Sequence, residues 1–134
     1  MMTQISIFAE NTKGAMRRIT SLLLEHGINI SSILTNDSGE FGVVRMIVSE
    51  PEKARDALER AGYLCHREKV IGVRISDAPG SLDRLLADLM EININVEYLY
   101  ISFDRDRAAP IMVFRTLSAA EVAQSLQSRG YEVL

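Results

Sequence analysis

Residues 10–30 read ENTKGAMRRITSLLLEHGINI, and residues 76–96 read SDAPGSLDRLLADLMEININV. The two stretches match with a shift of 66 positions, so that, for example, Gly14 is equivalent to Gly80. Each copy of an internal repeat has to adopt the same backbone geometry, so a repeat constrains a fold more strongly than a single motif does. The matched positions include apolar residues and a turn, and turns often carry function.

The repeat extends to the end of the chain and predicts two domains. The dipeptide Gly-Tyr at 62–63 recurs at 130–131, with a shift of 68 positions. We therefore place domain 1 at residues 1–68 and domain 2 at residues 69–134. A unit of about 65 residues is marginally stable alone, which predicts that the two halves share a hydrophobic interface.

The composition is that of an ordinary globular protein. Of the 134 residues, 47% are hydrophobic and 25% are charged. No apolar run approaches the roughly 18 residues that cross a bilayer, and the first residues do not resemble a signal peptide. The single cysteine, Cys65, excludes an intramolecular disulfide and favours a reducing cytoplasm, so we expect a cytoplasmic protein without a membrane partner. The net charge of −3 and the absence of clustered Lys and Arg argue against nucleic-acid binding.

Apolar spacing predicts the order β-α-β-β-α-β in both halves. In the first half, strands are expected at 3–8, 28–35, 42–48 and 63–67. The first helix has Met16, Ile19, Leu22 and Leu23 on its apolar face, and the second has Ala54, Ala57, Leu58 and Ala61. In the second half, strands are expected at 70–75, 94–102, 110–116 and 131–134. The helices there have the apolar faces Leu82, Leu85, Leu86, Leu89, Met90 and Ala119, Val122, Ala123, Leu126, all interpreted as core.

This order predicts an α+β fold, with two ferredoxin-like βαββαβ sandwiches packed together. Only Glu68 and Lys69 separate the halves. We therefore expect side-by-side packing with a joined antiparallel sheet, in preference to a strand exchanged between the halves.

Several local signals mark the ends of the predicted elements. Residues 49–52, SEPE, and 118–121, SAAE, have the pattern of capping boxes at helix starts. Residues 36–39, NDSG, predict a hairpin turn. Gly27 is expected to end the first helix in a left-handed conformation.

The loop before the first helix of each half resembles the ACT domain, a small regulatory module of amino-acid metabolism. The family pattern is Asp-x-Pro-Gly-x-Leu before an apolar helix, then Gly-(Ile/Val)-Asn-Ile leading into the second strand. Residues 77–82, DAPGSL, match the first part in full, and residues 93–96, NINV, follow. Residues 11–16, NTKGAM, match it in part, and residues 27–30, GINI, follow. The resemblance covers almost the whole chain and implies a free-standing tandem ACT protein with no catalytic domain.

The resemblance also implies where a ligand binds. In the family, a small amino acid often lies at the seam between domains, where it contacts the loop of one domain and the start of the second strand of its neighbour. The candidate ligand-binding residues implied here are Asn11, Gly14, Ala15, Asn29 and Ile30 in the first copy, and Asp77, Gly80, Ser81, Asn95 and Val96 in the second. Free N–H groups at a helix start favour a carboxylate, a carboxylate side chain accepts from an α-ammonium group, and an amide offers both a donor and an acceptor.

The first copy departs from the family pattern, because Asn11 and Lys13 replace the usual Asp and Pro. An amide pairs less strongly with an ammonium group than a carboxylate does. We therefore predict that the pocket built on Asp77 binds more tightly than the pocket built on Asn11.

Each candidate also has a structural interpretation. Asp77 and Asn11 are of the residue types that cap helices. A tight turn is the alternative reason for glycine at positions 14 and 80. Asn29 and Asn95 could be satisfied residues that lead into strands.

Two further polar stretches have no predicted chemistry. Cys65 and His66 are neighbours on a strand and face opposite sides, so a shared metal or catalytic role is not expected. Residues 104–107, DRDR, are interpreted as a solvated hairpin tip, with a partner-docking edge as the alternative.

The sequence thus predicts a non-enzymatic, cytoplasmic sensor that binds an amino acid and alters its interaction with another protein. No cofactor is expected, and exposed edges at the second strands favour a homodimer. The alternative is a structural or regulatory subunit that docks on a metabolic enzyme without its own ligand. An enzyme on the same scaffold would need a polar constellation that the sequence does not contain.

Overall fold

The computed structural model describes residues 1–36, 39, 41–104 and 106–134, and its residues form two compact units. The N-terminal unit comprises Thr3–Glu68. The C-terminal unit comprises Lys69–Leu134 together with Met1–Met2. No helix of the described part is long and apolar enough to cross a membrane.

The N-terminal unit has helices on a four-stranded sheet. Its elements are β1 (Met2–Glu10), α1 (Ala15–Glu25), β2 (Ile30–Thr35), β3 (Phe41–Val48), α2 (Pro51–Arg60) and the first part of β4 (Leu64–Arg74). The strand order is β2-β3-β1-β4. Strand β3 lies antiparallel to both neighbours, with Ile47 opposite Gln4 of β1 and Ser32 of β2.

The C-terminal unit repeats this plan. It begins with the second part of β4 and continues with α3 (Ser81–Glu91), β5 (Tyr98–Asp104), β6 (Ala109–Arg115), α4 (Ala119–Ser128) and β7 (Glu132–Val133). The strand order is β7-β4-β6-β5, and all three pairings are antiparallel. The predicted α+β class and the βαββαβ order of both halves are therefore confirmed.

Each unit has its own hydrophobic core, built where alternating strand residues meet the apolar stripes of the two helices. The N-terminal core is centred on fully buried residues, Ile5, Ile7, Ile19, Leu23, Met46, Ala54 and Leu58. The C-terminal core is centred on Ile71, Val73, Leu85, Leu89, Phe114, Val122 and Leu126. Each large apolar side chain buried in this way stabilises the fold by about 1.5–3 kcal/mol.

The predicted core face of α3 is too wide. Leu85 and Leu89 are buried, but Leu82, Leu86 and Met90 are 37%, 36% and 76% exposed. The latter three lie at positions i, i+4 and i+8, along the flank of the buried stripe rather than on it. They form an exposed apolar flank of α3, and their assignment to the core was wrong.

Both predicted capping boxes are also wrong. The N-cap of α2 is Glu50, one residue after the expected serine, and it makes no side-chain capping bond, although Pro51 lies in the first turn as predicted. At the start of α4, Ser118 is the N-cap but its hydroxyl makes no capping bond either. At the other end of α2, Ala61 follows the helix and is exposed, so it does not belong to the buried face.

Several strand limits differ from the prediction. The two strands predicted on either side of residues 68–69 form one strand, β4, of 11 residues. Strand β5 begins at Tyr98 rather than at residue 94. Asn93, which precedes the predicted strand, has a left-handed conformation (φ 60°). Asn93 is the repeat equivalent of Gly27, which ends α1 with φ 67° as predicted. Of the predicted hairpin turn 36–39, residues 37 and 38 lie outside the described residues.

Candidate ligand-binding site

The two loops that precede α1 and α3 have the same backbone geometry. Gly14 and Gly80 are the N-caps, with φ 82° and φ 87°, and neither helix start has a side-chain capping bond. In each loop a turn is closed by the next N–H group: Ala15 donates to the Thr12 carbonyl at 3.1 Å, and Ser81 donates to the Ala78 carbonyl at 3.2 Å. A left-handed N-cap strongly favours glycine, so the repeat of this residue has a geometric cause.

Asn11 and Asp77 do not cap the helices, so the alternative interpretation of these side chains was wrong. Both residues are exposed. Because glycine occupies the capping position, no side-chain oxygen satisfies the first N–H groups of either helix. Within the described chain, Asp77 forms no hydrogen bond or ion pair. Its carboxylate is therefore accessible to a ligand, whereas the Ser81 N–H is already bonded within the loop.

The other predicted residues lie where the second strand of each unit begins. Asn29 donates its N–H to Ser49 Oγ at 3.0 Å and accepts from the Ser49 N–H at 2.9 Å, so its backbone is satisfied as the structural interpretation expected. Its side chain is exposed, and Ile30 is the first residue of β2. Asn95 is exposed in the segment before β5, while Val96 packs against the C-terminal core.

Within one unit, these two groups of residues lie at opposite ends of the sheet. The register of the N-terminal unit aligns Ser32 with Gln4 through Ile47, and Thr35 with Ile7 through Val44. The start of β2 is therefore level with the start of β1, whereas the loop that contains Gly14 follows the end of β1. A ligand that contacts both groups would need residues from two ACT units, and that arrangement stays a prediction.

Two of the five N-terminal candidates line a cavity at the loop. This cavity has a volume of about 350 Å³ and lies between the loop after β1 and the adjacent ends of β2 and β3. Asn11 and Ala15 contribute to it, together with Glu10, Met16 and Asn36.

A larger cleft, which the sequence reasoning missed, lies where β1 ends, α1 begins and β4 begins. This N-terminal cleft has a volume of about 560 Å³. It is lined by eight residues: Phe8, Ala9, Glu10, Ala15, Arg18, Gly62, Tyr63 and Leu64.

The C-terminal unit has a repeat-equivalent cleft of about 220 Å³. This C-terminal cleft is lined by Arg74, Ile75, Ser76, Ser81, Arg84, Arg129, Gly130 and Tyr131. The repeat shifts of 66 and 68 positions pair Arg18 with Arg84 and Tyr63 with Tyr131. An arginine at the same position of both copies is a sequence signal that could have indicated these clefts.

Ion pairs neutralise two of the three arginines of the C-terminal cleft. Arg74 binds Asp104 and Glu132, and hydrogen bonds from its guanidinium hold the pKa of both carboxyl groups below their usual range. Arg129 pairs with Glu91 at 2.6 Å and with Asp88 at 3.3 Å.

Tyr131 belongs to the same network. Its hydroxyl donates to Asp88, and its pKa is raised, first by burial and then by this bond. The polar lining of this cleft is thus largely satisfied by the protein itself.

Asp104 is accordingly not a solvated tip residue, as the sequence had suggested. Its side chain is only 13% exposed. Besides its pair with Arg74, it accepts from the N–H groups of Asp106 and Arg107 at 3.0 and 3.3 Å. Arg105 lies outside the described residues.

Cys65 and His66 face opposite sides of β4, as predicted. Cys65 is buried in the N-terminal core, where burial raises the pKa of its thiol. His66 is exposed, with Nε2 3.4 Å from Glu68 Oε1 and its ring centroid 6.4 Å from that of Phe8. Among the described residues, no three His, Cys, Asp or Glu side chains are grouped in a way that could hold a metal ion.

Comparison with known proteins identifies the fold family. The family model of the ACT domain pair matches residues 1–128. The chain is 28% identical to a protein of Bacteroides thetaiotaomicron whose crystal structure superposes with a TM-score of 0.91, covering 99% of this chain and 91% of that one. No curated protein matches the chain.

Two more distant structures share the fold. The ligand-free regulatory subunit of aspartate kinase from Thermus thermophilus is 16% identical, with a TM-score of 0.71 over 94% of this chain and 91% of that one. The corresponding subunit from Thermus flavus is 19% identical, with a TM-score of 0.67 over 92% and 86%. The family match over residues 1–128, the two βαββαβ units and the repeated glycine-capped loops agree, and this chain therefore belongs to the ACT domain pair family.

Proposed function

We propose that this protein is a non-enzymatic regulator that binds an amino acid at ACT-type sites and thereby changes its interaction with another protein. The observation that carries this proposal is the pair of open loops in an ACT domain pair. Both helix starts are capped by glycine and have no side-chain capping bond. The first N–H group of each helix is bonded within its loop. A ligand carboxylate would bond the N–H groups that follow in the first turn, which have no intrahelical partner, and would interact favourably with the helix dipole.

In this proposal the ten candidate residues act as two groups. The loop groups bind the polar atoms of the ligand. They consist of Asn11, Gly14 and Ala15 in the first copy, and of Asp77, Gly80 and Ser81 in the second. The strand groups contact the ligand from another ACT unit, because the register separates them from the loop of their own unit. They consist of Asn29 and Ile30 in the first copy, and of Asn95 and Val96 in the second. A ligand bound across two units favours one arrangement of them, which is how binding shifts a conformational equilibrium.

A thermal-shift screen of the 20 common amino acids tests the function as a whole. A ligand present at about 100 times its dissociation constant stabilises the folded protein by ~2.7 kcal/mol, which is a clearly measurable shift. We expect at least one amino acid to produce it. If none does, the proposal fails.

The two loop sites should have unequal affinities. Asp77→Ala removes a carboxylate that pairs with the α-ammonium group, and hydrogen bonds to charged groups contribute about 1.5–3 kcal/mol, or roughly tenfold or more in affinity. Isothermal calorimetry should show this loss for the tighter site, with Asn11→Ala as the matched control having a smaller effect. Two equivalent sites per chain, or an unchanged affinity in Asp77→Ala, would contradict the prediction.

One observation favours the second candidate function, a regulatory subunit that docks on a metabolic enzyme without a ligand of its own. The flank of α3 exposes Leu82, Leu86 and Met90, and apolar surface of this kind suits a protein contact. The aspartate kinase regulatory subunits that share this fold support the proposal that a chain of this kind regulates an enzyme. A chain that responds to no amino acid, yet co-purifies stoichiometrically with one enzyme, would favour this function.

We also propose that the protein forms a homodimer. Strands β2 and β5 end the strand order of their units, so each has one backbone edge without a neighbouring strand in that order. Such edges pair readily with a second chain. Analytical ultracentrifugation measures the oligomeric state directly.

A further inference from the structure

The N-terminal cleft takes its lining from both faces of the sheet. Along β1, Ala9 is buried toward the core, whereas Phe8 projects from the opposite face. At the start of β4, Cys65 is buried in the core and Leu64 projects from the opposite face. The cleft therefore opens at the end of the sheet, where core-side and outer side chains meet.

Two side chains of opposite charge line this cleft and are almost free of other contacts. Arg18 makes a single long bond, from Nη2 to Thr12 Oγ1 at 3.4 Å. Glu10 is exposed and, within the residues that the structure describes, forms no hydrogen bond or ion pair. A guanidinium offers two parallel donors to a carboxylate, and a carboxylate accepts from an ammonium group. The pair is complementary to a zwitterion.

The remaining lining is apolar and unusually accessible. Phe8 is 43% exposed and Leu64 is 69% exposed. Tyr63 is half-buried and packs on its other side against the core. The volume of about 560 Å³ lies within the range of roughly 300–1,000 Å³ that is typical of small-molecule sites. An apolar group placed against these side chains would bury surface that is now in contact with water.

The repeat-equivalent cleft of the C-terminal unit lacks these properties, so they do not follow from the fold. There Arg74 stands in place of Phe8, Ser76 in place of Glu10, and Glu132 in place of Leu64. The volume falls to about 220 Å³, and Arg74 is neutralised by Asp104 and Glu132. The two clefts share a scaffold but differ in the side chains that would select a ligand.

We propose that the N-terminal cleft is a second binding site, formed within one unit, for a zwitterionic amino acid with a bulky apolar side chain. Arg18 binds the α-carboxylate, Glu10 binds the α-ammonium group, and Phe8, Tyr63 and Leu64 contact the side chain. The inference rests on the proposed function only for the ligand class, because this site does not use Asp77 or the second strands.

The test uses L-leucine and L-phenylalanine as probes, with calorimetry on the full chain that carries both Asn11→Ala and Asp77→Ala. These substitutions weaken both proposed loop sites, and neither residue lines the N-terminal cleft. We expect residual binding at one site per chain, weakened at least about tenfold when Arg18→Gln or Glu10→Gln is added. The matched control is Arg84→Gln, which alters the equivalent cleft and should change the affinity less than about twofold.

A ligand series on the same double variant tests which groups of the ligand the N-terminal cleft recognises. L-Leucinamide lacks the carboxylate, 4-methylpentanoate lacks the ammonium group, and glycine lacks the apolar side chain. Each should bind at least about tenfold more weakly than L-leucine. Equal binding of glycine and L-leucine would overturn the assigned ligand class.

The outcomes separate this inference from the proposed function. If the unaltered protein binds an amino acid but the double variant binds none, the N-terminal cleft is not a site and the proposed function stands. Residual binding that is unchanged by Arg18→Gln also overturns the inference. If the unaltered protein binds no amino acid, both fail.

Discussion

Arg74 connects three strands of the C-terminal unit through one guanidinium group. It lies at the end of β4 and pairs with Asp104 at the end of β5 and with Glu132 at the start of β7. Arg107 also forms an ion pair with Glu132, with 2.8 Å between Nη1 and Oε1. The Arg74 and Asp104 side chains are only 14% and 13% exposed, so the pair is held in a largely desolvated position.

This ion pair predicts how stability depends on pH. The hydrogen bond from Arg74 lowers the pKa of Asp104 in the folded state, so the pair stabilises the fold fully above the unfolded pKa of about 4. The contribution is lost as the pH falls through the lowered folded value. Asp104→Asn should therefore flatten the loss of stability below about pH 4, measured as urea midpoints from pH 7 to pH 3. Asp83→Asn, at an exposed position of α3, is the control for the loss of a surface carboxylate. Identical curves for Asp104→Asn and the unaltered protein would contradict the prediction.

The burial of some polar residues could not be predicted, because their hydrogen-bond partners lie far away in the sequence. Gln4 and Ser6 are almost fully buried on β1, and both donate to Glu68 Oε2, at 3.1 and 3.0 Å. In the sequence, Gln4 and Ser6 read as the polar positions of an alternating strand, and Glu68 as part of a link between domains. More than 60 positions separate the donors from the acceptor, and no local pattern reveals such a bond.

At the scale of elements, the spacing of apolar residues predicted the buried faces of helices better than the capping motifs predicted the helix starts. The stripes of Ile19 and Leu23 and of Val122 and Leu126 are buried as predicted, because helical spacing is a local property. The predicted capping box at Ser49 is wrong because its hydroxyl has a different partner. Ser49 accepts from the N–H of Asn29, which lies 20 positions away.

The two serines of the failed capping boxes give a matched prediction. Ser49→Ala should lower the free energy of unfolding by about 0.5–1.5 kcal/mol, because it removes the acceptor that holds the start of β2. Ser118→Ala should change it by less than about 0.5 kcal/mol, because that hydroxyl makes no capping bond. Urea unfolding of the two variants checks this. Equal losses, or a larger loss for Ser118→Ala, would contradict it.

The loops before α1 and α3 show how far a motif can predict a site. The motif correctly placed the turn, the glycine and the open helix start in both copies. It could not reveal the N-terminal cleft, because Arg18 lies one turn into α1, and Tyr63 and Leu64 come from a segment about 50 residues later. The lining of a cleft depends on packing between elements, whereas a motif describes one segment.

At the scale of the whole molecule, the duplication has produced two units with a common core and different clefts. Core positions such as Leu23 and Leu89 are equivalent and both buried, since each unit needs the same apolar stripe. Cleft positions have diverged instead, as the change from Phe8 to Arg74 shows. A repeat therefore predicts the fold well, while its differences indicate where the two units differ in function.

The halves should not be independent folding units. Strand β4 runs without a break across residues 68 and 69, and Met1–Met2 belong with the C-terminal unit although they begin the chain. Met2 also packs at Gly72, where an added Cβ would lie 2.4 Å from its Sδ. A fragment 69–134 would lose this contact, and both fragments would end or begin within a strand. Units of about 65 residues are already marginally stable.

Expressed separately, residues 1–68 and 69–134 should therefore each unfold at a lower urea concentration than the full chain does. Far-UV circular dichroism measures the unfolding. A full-length chain carrying Gln124→Ala, a change on the exposed face of α4, serves as the control for ordinary surface effects. Fragments that match the midpoint of the full chain would show that β4 contributes nothing by being continuous.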